Sequence, residues 1–171
     1  MDAAALDALS ESEFVAATAP LFEGAPRFLA RLAAARPFGD AESMFARAAE
    51  IALSMPEDEQ IELIDAHPRL GAPHASVSAM SFGEQGYDRE TSAAMAELAT
   101  LNAAYEARFG FRFSVFVAGR SRPELVPVLR AALDVDRQSE LRRALGDVVA
   151  IARDRYRRQS AIGEEGRVGA A

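Results

Sequence analysis

The residues able to do chemistry in this chain are few. Its two histidines both fall in IDAHPRLGAPH, residues 64–74, as His67 and His74. Pro68 pushes the residue before it out of the α region, so the pattern predicts a helix that stops at His67. A helix C-terminus carries partial negative charge that favours an imidazolium, and an imidazole exchanges a proton near neutral pH. His67 is therefore a candidate acid/base; capping the last helix carbonyls is the other role open to it. The stretch SFGEQ brings Ser81, Glu84 and Gln85 together. A carboxylate beside a carboxamide sets acceptors and donors at a fixed separation, which suits a urea or amide edge, although the same residues also make an ordinary polar turn. Arg112 and Arg120 share one parity along the run that contains FRFSVFV. A guanidinium there could grip a carboxylate through two parallel bonds, or pair with a surface Asp or Glu.

Other chemistries are excluded by what the chain lacks. With no cysteine there is no thiolate nucleophile, disulfide or Cys-based metal site. All 19 basic residues are arginine, so no lysine is present to form a Schiff base or anchor pyridoxal phosphate. Six residues separate the two histidines, which is not a compact helical metal pair, so no metal site is expected and His74 is expected to face solvent. The net charge of -7 argues against general nucleic-acid binding, and Arg153, Arg155, Arg157 and Arg158 read as a solvated helix face. No apolar run approaches the roughly 18–20 residues a bilayer span needs. The acidic start, MDAAALDALSESE, does not read as a secretory signal, and GRVGAA is not a peroxisomal tripeptide, so a cytoplasmic location is expected.

The elements that must position these residues read as helices. Ser10 and Glu13 have capping-box spacing, and APRFLARLAAAR carries Phe28, Leu29 and Leu32 as an apolar stripe. Asp40 is placed to cap the next helix, with Met44, Ala48 and Ile51 on one face. Ser54 and Glu57 have the spacing of another capping box, with Pro56 in the first turn. After a loop over 68–88 a long helix resumes near Arg89, carries Met95, Leu98, Asn102, Tyr105 and Phe109, and stops at Gly110. FRFSVFV is the only β-like run. Having no partner it is expected to be an extended segment, 111–118, with Phe111, Phe113, Val115 and Val117 facing one side. Ser121 and Glu124 cap a helix through LVPVLRAAL, and Leu141, Leu145, Val148, Ala152 and Tyr156 share a face of the last one. The expectation is an all-α, single-domain bundle of about seven helices over 1–160, followed by a mobile tail over 161–171.

Four stretches in order, FEGAPRFLARLAAARPF, AHPRLG, SFGEQG and LNAAYEARFGFRF, resemble the 2-oxo-4-hydroxy-4-carboxy-5-ureidoimidazoline (OHCU) decarboxylase family, from about residue 10 to residue 158. Each fragment alone is weak; the ordered set is specific. The resemblance implies an all-helical homodimer that converts an anionic ureidoimidazoline to (S)-allantoin at the end of urate breakdown, with no metal or organic cofactor. By motif position His67 would be the acid/base with Glu84 beside it in the catalytic set, and Pro68 would shape the site. Ser81, Glu84 and Gln85 match the family's substrate-holding Ser-x-x-Glu-Gln. Val115 falls where the backbone contacts the ligand. Three departures stand out. Arg112 replaces the proline of Gly-Phe-Pro-Phe, Ala118 occupies the position of the substrate-binding arginine, and the loop from His67 to Ser81 is shorter. Arg120, displaced by roughly 7 Å along an extended chain, is the expected replacement clamp, with Arg112 as the alternative. A relative acting on another carboxylated ureide or heterocycle, or a non-catalytic ureide-binding protein, are the alternative functions.

Overall fold

Helix boundaries follow the capping chemistry written into the chain. The computed structural model describes residues 3–71 and 92–168, the side chains of 92–94 and 162–168 excepted. His74, Ser81, Glu84 and Gln85 lie outside the described residues. Within them are eight α-helices and no strand: α1 (Ala3–Asp7), α2 (Glu11–Thr18), α3 (Pro26–Ala34), α4 (Ala41–Ser54), α5 (Glu57–Asp65), α6 (Ser92–Phe109), α7 (Arg122–Ala132) and α8 (Arg137–Val168). The all-α expectation holds, with α1 as the helix the sequence pattern did not announce: five residues, AAALD, offer too short a window for periodicity.

The chain divides into two compact units, one of Met1–Leu63 with Val149–Ala171, the other of Ile64–Val148. In the first, the Ser10 N–H donates to the Glu13 carboxylate at 2.9 Å and the Glu13 N–H donates back to Ser10 Oγ at 3.3 Å, closing the expected box before α2. Asp40 Oδ1 accepts from the Ser43 N–H at 2.7 Å and opens α4. The Ser54–Glu57 box expected before α5 is not the arrangement found. Ser54 belongs to α4 and turns its hydroxyl back to the Ile51 carbonyl at 3.1 Å. The carbonyls ending α4, at Ala52 and Leu53, are taken instead by the Gln60 carboxamide, at 3.1 Å each. A second correction concerns the arginine cluster near the C-terminus. Arg157 and Arg158 are exposed, but Arg155 is 1% exposed. It donates to the carbonyls of Pro20 and Leu21 and to the Glu23 carboxylate, so an inward-facing position on α8 carries a fully partnered cation. Helical backbone also continues to Val168, past residue 160 where the tail was expected to begin. No proline follows Pro127, and glycine costs a helix only about 1 kcal/mol each.

In the second unit, Tyr105 on α6 gathers Phe109, Phe111 and Phe113 around its ring, with centroids 4.6, 5.8 and 5.2 Å away. Gly110 ends α6 with φ +78°, the left-handed conformation a C-terminal glycine adopts without penalty, and its N–H returns to the Glu106 carbonyl. Residues 112–117 then run without helical turns and without pairing to any strand among the described residues. Phe111, Phe113, Val115 and Val117 are buried as expected; Ser114, on the other parity, is buried too. The Glu124 carboxylate accepts from both the N–H and the hydroxyl of Ser121, at 2.7 and 2.6 Å, and opens α7.

Candidate active site

The unpaired segment 111–117 must find side-chain partners for its peptide groups, and those partners define the site. Its N-terminal half docks on the end of α5. The Arg112 N–H donates to Asp65 Oδ1 at 2.8 Å, and the Arg112 guanidinium donates to the carbonyls of Asp65 and His67 at 2.5 and 3.2 Å. Ser114 Oγ reaches the Ile64 carbonyl at 3.4 Å. The carbonyls of the last helical turn have acceptor capacity that the helix itself does not fill, and Arg112 and Ser114 take it up. The C-terminal half docks on α8, where Arg143 donates from Nη1 and Nη2 to the Ser114 carbonyl, 3.1 Å each. The same guanidinium lies over the Phe113 ring, 5.1 Å from its centroid.

His67 sits where Pro68 required the helix to stop. It is 3% exposed, and its N–H closes a last turn onto the Ile64 carbonyl at 3.1 Å. The turn behind it is fastened to α6 twice. Arg69 pairs with Glu106, and the Asn102 carboxamide donates to the Leu70 carbonyl at 2.9 Å. The Arg69 guanidinium holds the Glu106 carboxyl below the usual carboxylate range. Pro68 is half-buried beside His67.

Val115 is 8% exposed, and the bonds that hold its segment fall on Arg112, Ser114, Phe116 and Val117, leaving the Val115 peptide groups out of the set. Arg120 curls back on the same strand-like run: Nε donates to the Val117 carbonyl at 3.0 Å and Nη2 to the Phe116 carbonyl at 2.6 Å. The turn that lets it do so is Ala118–Gly119, both with positive φ (+50° and +78°), closed by the Arg120 N–H to the Val117 carbonyl at 3.0 Å. A buried cation also opens α7: Arg122 is 2% exposed and its Nη1 lies 3.1 Å from Met95 Sδ.

Beneath the segment lies a charged network that no motif announced. Glu140, 1% exposed, accepts from the Tyr105 hydroxyl at 2.6 Å and from Arg143 Nη2 at 2.6 Å, while Arg143 Nη1 donates to Asp147 at 2.6 Å. Burial, then the bond to the Glu140 carboxylate, push the Tyr105 phenol far above its ordinary range, so it is a neutral donor. The only signal in the sequence is the spacing of Glu140, Arg143 and Asp147 along one helix, which surface ion pairs share. The described residues hold no group of three or more His, Asp or Glu side chains suited to a metal ion.

A family model described as OHCU decarboxylase matches residues 7–157. The chain belongs to the OHCU decarboxylase family. Among relatives, the uric acid degradation bifunctional protein PucL of Bacillus subtilis (strain 168) is 32% identical over 149 residues, which is 85% of this chain and 30% of that protein. The uric acid degradation bifunctional protein of Bacillus sp. (strain TB-90) is 29% identical over 86% of this chain and 30% of its own length. The chain therefore spans under a third of these two bifunctional relatives. It matches the 2-oxo-4-hydroxy-4-carboxy-5-ureidoimidazoline decarboxylase of Halalkalicoccus jeotgali at 29% identity over 86% of this chain and 85% of that one. A crystal structure of OHCU decarboxylase in the presence of (S)-allantoin shares the fold, with a TM-score of 0.64 at 23% identity, covering 77% of this chain and 89% of that one.

Within this OHCU decarboxylase family member the departures from the family pattern acquire positions. Arg112 is spent on backbone carbonyls at the end of α5, and Ala118 is the first residue of a left-handed turn. Asp147, which faces Arg143, the Phe116 amide and Arg120, is raised above the usual carboxylate range because burial outweighs those three, while Glu140 adds to the rise. A carboxyl that binds its proton more tightly when folded stabilises the protein below its unfolded value and loses that contribution as pH rises through the folded one. The lowered Glu106 works in the opposite sense and loses its contribution as pH falls. Relative to Asp147→Asn, the wild type is therefore expected to gain stability on going from about pH 7 to about pH 5. Urea denaturation of both proteins at the two pH values measures this; a pH-independent difference would refute it.

Proposed function

We propose that this protein decarboxylates 2-oxo-4-hydroxy-4-carboxy-5-ureidoimidazoline to (S)-allantoin, with His67 as acid/base. The observation that carries the reading is a buried histidine at a fixed helix end, docked through Arg112 and Ser114 to the segment that bears Val115, in a chain whose family model is that of the decarboxylase. The reaction needs little from the protein beyond orientation and one proton. The carboxylate leaves as CO2 and its bonding pair enters the conjugated C=N of the ring, whose nitrogen takes up a proton. The neighbouring hydroxyl then gives up its proton as its oxygen becomes the ring carbonyl, while a proton delivered to one face of the ureido-bearing carbon makes it saturated. The substrate is its own electron sink, so no metal or organic cofactor is assigned. Ser81, Glu84 and Gln85 are assigned to the ureido group, with Glu84 also in the catalytic set, Pro68 to the wall of the site, and the Val115 peptide to a backbone contact. The protein is further proposed to act in the cytoplasm as a homodimer; no helix among the described residues is long and apolar enough to cross a membrane.

The experiment generates the unstable substrate in situ from urate with urate oxidase and the hydrolase, adds this protein, and follows the circular dichroism of (S)-allantoin. No acceleration over spontaneous decay would overturn the function. A second reading, a relative that acts on another carboxylated ureide, is favoured by alanine at position 118 and would show as acceleration only with that other substrate. Arg120 is assigned to the substrate carboxylate through the Nη1 edge that its backbone bonds leave over. Arg120→Ala is then expected to raise KM about tenfold, the loss of one charge-assisted contact. An unchanged KM would remove Arg120 from that role and turn attention to the buried Arg122.

A further inference from the structure

We propose that Arg112 is the positioning residue for His67, fastening the backbone of the turn that carries the imidazole to the segment that carries Val115. This rests on the role given to His67 above. Three carbonyls at and just past the end of α5 are bound by two residues of one segment: Ile64 by Ser114 Oγ, and Asp65 and His67 by Arg112 Nη1. The Arg112 N–H completes the join by donating to Asp65 Oδ1 at 2.8 Å. His67 is thereby held at both ends of its own residue, its N–H by the Ile64 carbonyl and its carbonyl by Arg112. The residues after it are pinned to α6 by Arg69 with Glu106 and by Leu70 with Asn102.

Arginine suits this task because its rigid fork can reach more than one carbonyl from a single stem, and because it keeps its charge at any working pH. Proline, which the family pattern has at this position, offers neither a backbone N–H nor a side-chain donor, so the three bonds made by residue 112 belong to this chain and not to that pattern. The side chain faces the peptide backbone of the acid/base residue and gives its donors to that backbone. Its effect therefore falls on where the imidazole stands and not on how tightly substrate is held. Misplacing a catalytic group by about 1 Å costs up to roughly a hundredfold in rate.

Arg112→Met keeps the unbranched apolar stem and removes the donors; Arg112→Lys keeps one donor and the charge. Arg112→Met is expected to lower kcat about tenfold to a hundredfold with KM within about twofold of wild type, and Arg112→Lys to recover most of the loss. The chain has only two histidines, so imidazole nitrogen–proton NMR spectra resolve both, with His74→Gln assigning the pair. The His67 signals are expected to move in Arg112→Met while those of His74 stay. Wild-type kcat together with unmoved His67 signals would overturn the proposal. So would a raised KM at unchanged kcat, which would make Arg112 a substrate clamp. If the wild type itself shows no turnover, the proposed function fails, and the imidazole spectra, recorded without substrate, still decide the role of Arg112.

Discussion

His67→Ala is expected to reduce the acceleration of (S)-allantoin formation by a factor of about 10²–10⁴, the usual contribution of a positioned acid/base. The largest loss belongs to the stereospecific proton delivery, since CO2 departure is driven by the substrate's own conjugation while protonation of one ring face requires a donor fixed in space. Alanine also leaves a cavity at a residue that is 3% exposed, so His67→Gln is the necessary companion. It retains bulk and a donor, has no proton to exchange near neutral pH, and is expected to lose the same activity while melting close to wild type. The measurement is the rate of (S)-allantoin circular dichroism with in situ substrate, beside a thermal melt of each variant. Acceleration that survives both substitutions would remove His67 from the reaction.

Glu140→Ala is expected to destabilise the second unit by about 3 kcal/mol, because it removes the acceptor of the buried Tyr105 hydroxyl and one partner of Arg143, whose side chain is 31% exposed. Arg143 would keep only Asp147 as a counter-ion, and the Tyr105 hydroxyl would lose its acceptor. Glu140→Gln preserves an acceptor for the phenol but not the charge, and is expected to cost less. Urea denaturation at neutral pH measures both. The damage should also reach segment 111–117, since Arg143 carries the Ser114 carbonyl; where Glu140→Gln still folds, its KM for the ureidoimidazoline of the proposed function is expected to rise. Equal stability of Glu140→Ala and wild type would show that the network is dispensable.

Much of this arrangement is legible in the sequence where the cause is local. The boxes at Ser10–Glu13 and Ser121–Glu124 and the cap at Asp40 need only four residues, and Pro68 acts on its immediate neighbour. The apolar face of α8, with Leu141, Leu145, Val148, Ala152 and Tyr156 all buried, follows from helical period alone. What is not legible depends on distant chain. Arg155 looks like one of four solvated arginines until Pro20, Leu21 and Glu23 arrive, more than 130 positions earlier, to receive it. Ser54 has the spacing of a cap for α5, but it is the last residue of α4 and turns its hydroxyl back to the Ile51 carbonyl. At the site, His67 was readable from Pro68 and from the ordered family stretches. Arg112 reads in the sequence as a carboxylate clamp or a surface ion pair; its acceptors, the carbonyls of Asp65 and His67, are 47 and 45 positions away. The assignment of Ser81, Glu84 and Gln85 still stands on motif position, since they lie outside the described residues.

The segment 111–117 belongs to no sheet: the side chains of Arg112 and Ser114 donate to carbonyls at the end of α5, while the Ser114 carbonyl accepts from Arg143 of α8 and the Phe116 carbonyl from Arg120. In a sheet, moving one strand by a residue turns every side chain to the opposite face, and neighbouring strands must re-pair. Here the alignment is written in the lengths and donors of Arg112, Ser114 and Arg143, each replaceable by itself. On the function proposed above, substrate preference can therefore drift through residues whose donors serve only peptide carbonyls.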